Sequence, residues 1–243
     1  MRFRPTFWAT ALALPVLIVL LGLGTWQVQR LQWKNELIEA RTARIILPVV
    51  SPDMLGNAPS APNPDMGLSA LEYRPVDLEG RYVEESFFRL LPRARGGKQG
   101  FHVVSFLDTG EPLGLVLVDR GWVPLGTTRS ALPTSAGNAR VAGFVRLFAE
   151  PGLFVPDNEP DANNWFFMDE LAMRAAVGVP PGPALKFYVQ AGLNNLPPGV
   201  LPLGSVPDVN LRNSHLAYAV TWYAFAIVFV VIFVLFHWQR RRS

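Results

Sequence analysis

The chain has 243 residues, 50% of them hydrophobic and only 17% charged, with a mean hydropathy of +0.21. Globular proteins carry about 25% charge, so the apolar excess must sit in segments that water does not solvate. Cysteine is absent, which excludes disulfides, thiolate zinc sites, iron–sulfur clusters and covalent c-type haem attachment. The isoelectric point near 9.5 is no nucleic-acid footprint. Five of the 22 Lys/Arg are terminal arginines, and the other 17 are balanced by 19 Asp/Glu.

The first apolar run, "FWATALALPVLIVLLGLG" from Phe7 to Gly24, follows Arg2 and Arg4. A cleaved signal peptide has a 7–15-residue apolar core and a small-x-small cleavage site. This run is longer, and "TWQVQRLQWK" follows in place of such a site, so a retained membrane anchor is expected over 7–26. Pro15 is tolerable in a membrane helix. Only six residues precede the run, too few for a mitochondrial transit peptide, which points to a bacterial plasma membrane.

Residues 28–41 continue in helical register, with Leu31, Lys34 and Leu37–Ile38 along one stripe. The stretch 48–70 is rich in Pro, Gly, Asn and Ser and reads as a long loop. Strands follow. Residues 74–83 and 86–93 are expected to pair, and 100–124 reads as a hairpin around "DTGEP". Further strands are expected at 139–148 and 185–191, with a short helix at 169–177 and an extended proline-rich segment over 194–210. Short, closely spaced strands imply an antiparallel barrel- or sandwich-like sheet, giving one β-rich domain over 27–214. The second apolar run, Leu216 to Phe236, is uncharged and ends in "HWQRRR". It defines a second span over 215–237. The arginines at 240–242 place the C-terminus in the cytoplasm by the positive-inside rule. Two spans then put 1–6 and 238–243 on the cytoplasmic side and the domain in the periplasm. The fold class is an α+β membrane protein.

Candidate site residues gather at the outer end of the spans. At 100° per residue, His215, Tyr218, Ala219, Trp222, Ala226 and Phe229 share one side of the second helix. Antiparallel spans bring the end of the first, "GLGTWQVQR", to the same level. Trp26, Arg30, Arg212 and His215 therefore meet there, with Gly22 and Gly24 permitting close packing. An imidazole among aromatics and arginines suits a haem, with iron on nitrogen and propionates on arginine. The same set suits an anionic lipid headgroup, and spacing alone favours a snorkelling interfacial histidine beside belt aromatics. His237 reads as an interfacial anchor and His102 as a rim histidine. "GGKQG" is too short for a phosphate loop. "DRGWVP" (119–124) shows no general base or nucleophile arranged around it.

Six blocks in order carry a resemblance: "LGTWQVQRLQWK" (23–34), "EYRPVDLEGRY" (72–82), "LVLVDRGWVP" (115–124), "GFVRL" (143–147), "NNWFFMDE" (163–170) and "HLAYAVTWYAFA" (215–226). Together they resemble the Surfeit locus protein 1 family of cytochrome c oxidase assembly factors. That family usually has Asn where this chain has Asp119, and Phe where it has Tyr223. The resemblance implies a non-enzymatic, two-span inner-membrane protein assisting haem a insertion into the oxidase. Subunit I would be its partner, with haem a synthase and membrane lipids as further partners and no nucleic acid. It implies a transient haem a site with His215 on the iron, Trp26, Tyr218 and Trp222 against the ring, and Arg30 or Arg212 near the propionates. The alternative is a haem-free scaffold for an oxidase assembly intermediate. A membrane-bound hydrolase is disfavoured by the scarcity of histidine and the lack of cysteine.

Overall fold

The computed structural model describes residues 6–57, 64–133, 138–180, 182, 185–192, 196–197, 199–209 and 213–239. The chain divides into two compact units. One comprises residues 1–41 with 209–243, the other residues 42–208.

The first unit is a pair of antiparallel helices, α1 (Phe7–Ile45) and α5 (His215–Gln239). Both are long and apolar enough to cross a membrane. The helical register expected over 28–41 is real: α1 runs unbroken through Pro15 and for 39 residues, about 58 Å at the usual rise. Along it the less exposed positions recur at alternating steps of three and four: Thr10, Ala13, Leu17, Leu20, Gly24, Gln27, Leu31, Lys34. On α5 they are His215, Ala219, Trp222, Ala226, Phe229, Phe233 and His237. A period of 3.5 is the signature of two helices wrapping along a common seam. Lipid is as apolar as leucine, so burying leucine drives no association here. Small residues and interhelical hydrogen bonds do that work.

The second unit is built on seven strands: β1 (Pro75–Tyr82), β2 (Phe88–Arg95), β3 (Lys98–Asp108), β4 (Leu115–Pro124), β5 (Asn138–Leu147), β6 (Asn164–Trp165) and β7 (Phe187–Ala191). Their order is β1-β5-β7-β4-β3-β2-β6. A further pairing of β1 with β3, Arg81 opposite Asp108 and Tyr82 opposite Leu107, closes the first five into a ring. The expected β3–β4 hairpin forms.

Three details depart from the sequence reading. The sheet is mixed, because β4–β7 and β2–β6 pair parallel. From β4 the chain reaches β7 through β5 and an excursion carrying α4 (Glu170–Ala176), a connection long enough to lay β7 antiparallel to β5 and parallel to β4. Next, β1 and β2 do not pair with each other. β3 is long enough to take β2 at Lys98–Val104 and β1 at its far end. Ser86 fixes the corner between them: its hydroxyl donates to Val83 O (2.6 Å) and accepts from Phe106 N (2.9 Å). Finally, the stretch read as loop contains two short helices, α2 (Pro52–Asn57) and α3 (Pro64–Leu71), each opening on a proline. Proline is pre-organised for that first position. Ser51 Oγ accepts from Met54 N (3.3 Å) ahead of α2. These helices carry Leu55, Leu68 and Leu71 into the main core with Val76, Leu107, Val118 and Phe187.

A second core lies between the sheet and α4. There Phe88 meets Phe106 and Trp165 edge-on, at 5.8 and 5.4 Å between ring centroids. Asp169 caps α4, its Oδ1 accepting from Ala172 N (3.0 Å). Arg174 forks onto Glu170 Oε1 at 2.7 and 2.9 Å. Burial still pushes the Glu170 carboxyl above its ordinary range against the pull of that pair. Tyr188 is pushed up to about 12 by burial, so its phenol stays protonated at any physiological pH.

Trp165→Ala removes a fully buried indole and is expected to cost about 3–5 kcal/mol. Phe154→Ala, at a side chain 98% exposed, should change stability by less than about 0.5 kcal/mol. Denaturant unfolding of the detergent-solubilised full chain, followed by tryptophan fluorescence and circular dichroism, separates the two.

Candidate functional site

Polar contacts among the described residues rung the helix pair along its length. At one end His237 Nδ1–H donates to Phe233 O (2.8 Å), and Nε2 meets Thr6 Oγ1 at 3.1 Å. His237 is thus buried in the seam against Phe233 and Phe236, a role beyond that of an interfacial anchor. Towards the other end Thr25 Oγ1 lies 3.2 Å from the Tyr223 hydroxyl. Gly24 sits under that ring; a Cβ there would lie 2.7 Å from it. Beyond them Gln27 meets His215, and Asn213 Nδ2 donates to Asn35 Oδ1 (2.9 Å).

The His215–Gln27 contact has a chemical consequence. The amide oxygen Oε1 can only accept, so His215 Nδ1 carries the proton and donates across 2.6 Å. In the neutral ring Nε2 is then the lone-pair nitrogen. Sequence reading placed Gln27 at this level but gave it no role. Its signal was its seam position, three residues after Gly24.

The other expected site residues are arranged less compactly. Trp26 and Tyr218 are about half exposed, and Tyr218 lies off the seam that His215, Ala219 and Trp222 follow. Trp222 is half-buried and edge-on to Phe225 at 6.1 Å. Arg30 is exposed, its guanidinium stacked 3.8 Å over the Trp33 ring of its own helix. Arg212 lies outside the described residues. Among the described residues no hydrogen bond or ring contact joins His215 to Trp26, Arg30, Tyr218 or Trp222, and no cluster of three or more His, Cys, Asp or Glu forms a metal cage.

In the second unit the "DRGWVP" block is more organised than its sequence indicated. His102 Nδ1 lies 2.7 Å from Asp119 Oδ2, with both side chains largely buried. His102 is thus a paired histidine of the sheet, not a free rim residue. Asp119 Oδ1 accepts from Gly121 N at 3.0 Å. The partners of β4 shift here: Val104 faces Asp119 while Val103 faces Gly121, so Arg120 is the extra residue of a β-bulge. Gly121 has φ +123°, and a Cβ there would stand 2.3 Å from Leu203 O. That closeness lets Trp122 and Leu203 exchange backbone hydrogen bonds of 2.9 and 2.8 Å.

Two apolar antiparallel helices with a polar seam, attached to a mixed-sheet domain, define a two-span α+β membrane protein. The SURF1 family model matches residues 14–227. Similar proteins include a SURF1-like protein of Monosiga brevicollis, 31% identical over 94% of this chain and 86% of its own length. Surfeit locus protein 1 of Takifugu rubripes is 34% identical over 83% and 85%, and that of Homo sapiens 33% over 83% and 68%. The chain belongs to the SURF1 family.

With no native cysteine, the helix register can be tested directly. Asn35→Cys combined with Asn213→Cys should be joined efficiently by a short bismaleimide in membranes. A pair offset by about half a turn on α1, Trp33→Cys with Asn213→Cys, should react several-fold less.

Proposed function

We propose that the protein is an assembly factor for a haem–copper oxidase. It holds haem a transiently on its way into subunit I, with the domain of residues 42–208 on the periplasmic side of a bacterial plasma membrane. The observation that carries this reading is the hydrogen bond from His215 Nδ1–H to Gln27 Oε1. Histidines that ligate metals usually donate their other ring N–H to a fixed acceptor, which sets the tautomer and the ring plane. His215 has that arrangement, and its remaining nitrogen is the one a haem iron takes.

The residues present fit the group. His215 would hold the iron and Gln27 would hold His215. The half-exposed rings of Trp26 and Tyr218 and the Trp222 indole offer apolar faces to a macrocycle. Arg30 is solvent-facing and within one turn of Gln27, a position suited to a propionate. When bound, haem a supplies an iron centre that accepts a nitrogen ligand; the oxidase is where it does its chemistry. The chain itself contributes binding and orientation, in keeping with a chaperone role.

A haem-free scaffold is the second reading. It draws on the same seam, since Thr6–His237, Thr25–Tyr223 and Asn35–Asn213 knit the helices without any ligand.

Protein made alongside haem a synthesis and purified in mild detergent should carry a haem a spectrum. His215→Ala should abolish it, and Gln27→Ala should weaken haem affinity by about 10–100-fold. Nitrogen-15 NMR of the haem-free protein should show His215 as the Nδ1–H tautomer in the wild type and mixed tautomers in Gln27→Ala. Unchanged haem occupancy in His215→Ala would leave the scaffold reading, in which subunit I co-purifies equally from cells lacking haem a.

A further inference from the structure

The second unit contains a cavity of about 280 Å³ bordered by Tyr82, Ser105, Arg120 and the 83–87 corner. We propose that it binds a single carboxylate attached to a short apolar body, and that Arg120 is the residue that recognises it. The site lies wholly within residues 42–208 and does not rest on the haem reading.

Arg120 is the unpaired residue of the β4 bulge, a device that re-aims a side chain out of the ladder. Its guanidinium lies over the Tyr82 ring, 4.7 Å from the centroid. A guanidinium placed over a ring still has its N–H edge to offer, the fork that matches a carboxylate. Among the described residues no carboxylate or carbonyl takes that edge. A half-buried, uncompensated charge is costly to a fold. Burial accordingly holds the Arg120 guanidinium below its ordinary range and pushes the Tyr82 phenol above its own.

Ser105 is a second, independent sign. It is 1% exposed, and its Oγ has no hydrogen-bond partner among the described residues while bordering the same cavity. A buried hydroxyl without a partner is rare, and an incoming acceptor oxygen would satisfy it.

The charge count selects the ligand. Arg129, the other cation of the lining, is spent: it donates to Glu84 O and pairs with Glu85 at 3.9 Å. That leaves the Arg120 charge within reach of one more anion, while the Glu84 carboxylate disfavours a second negative charge. A monocarboxylate fits this balance better than a phosphate dianion. Phe87 and Leu132 line the remaining wall and suit a small hydrocarbon or aryl group. The ligand is either a free organic acid or the C-terminal carboxylate of an inserted peptide.

The test is fluorine NMR of 4-fluorobenzoate with the full chain in neutral detergent. The acid's line should broaden on binding, whereas the line of 4-fluorobenzamide should not. Arg120→Gln should weaken binding roughly tenfold or more, as loss of a charged hydrogen-bond partner does. Arg120→Lys, which keeps the charge without the fork, and Ser105→Ala should each weaken it less; they also serve if Arg120→Gln does not fold. Displacement by a pentapeptide with a free C-terminus, but not by its amide, assigns the peptide source. Failure of both peptides to displace assigns the free acid. Equal binding of acid and amide, undiminished binding in the Arg120 variants, or phosphate displacing the probe better than acetate would each overturn the proposal.

Discussion

Within hydrocarbon, two apolar helices gain nothing by burying leucine against leucine, and the arrangement of the membrane unit follows from that constraint. Register must come from places where backbones approach closely and from hydrogen bonds that lipid cannot supply. Here it comes from Gly24 beneath the Tyr223 ring and from polar pairs spaced along the whole seam, beginning with His237 at one end and finishing with Asn35–Asn213 at the other. His215 takes its orientation from the same seam. Its ring is fixed because Gln27 stands opposite it, and Gln27 stands there because Gly24, one turn earlier, lets the helices meet.

An analogous economy governs the second unit. One extra residue in β4 sets Asp119 beside His102, turns Arg120 out of the ladder, and demands a glycine at 121 where Leu203 comes close. The "DRGWVP" block is therefore a single local device. Three successive residues have different tasks because the bulge breaks the strict alternation of a strand. The Asp119 carboxylate uses both oxygens, one on His102 and one on the Gly121 amide, so it acts first as a clamp on the bulge.

Much of the architecture was legible in the order of residues. The two spans, the continuation of α1 beyond the membrane run, the β3–β4 hairpin, α4 and the edges of β5 and β7 all follow from period and composition, which are local signals. What escaped was non-local or masked by punctuation. Prolines 52 and 64 looked like loop residues, yet proline also opens helices, and Ser51 ahead of Pro52 was the capping cue. The β1–β2 pairing failed because adjacency along the chain is only a tendency, and β3 is long enough to take both neighbours. At the candidate site, helical spacing gathered His215 with Ala219 and Trp222 but overreached with Tyr218, which a seam of period 3.5 leaves to one side.

By itself the sequence determined which segments leave water, which face of each helix is set apart, and where strands and turns fall, because those properties are written in spacings of two, three and four residues. Only the tertiary structure decided which groups meet. Gln27 and His215 are 188 positions apart, His102 and Asp119 sit on different strands, and Tyr82 joins Arg120 and Ser105 at one cavity because the sheet curls shut through β1 and β3. Hydrogen bonds and charge compensation act over a few ångströms, and at that range chain separation carries no information about who the partner is.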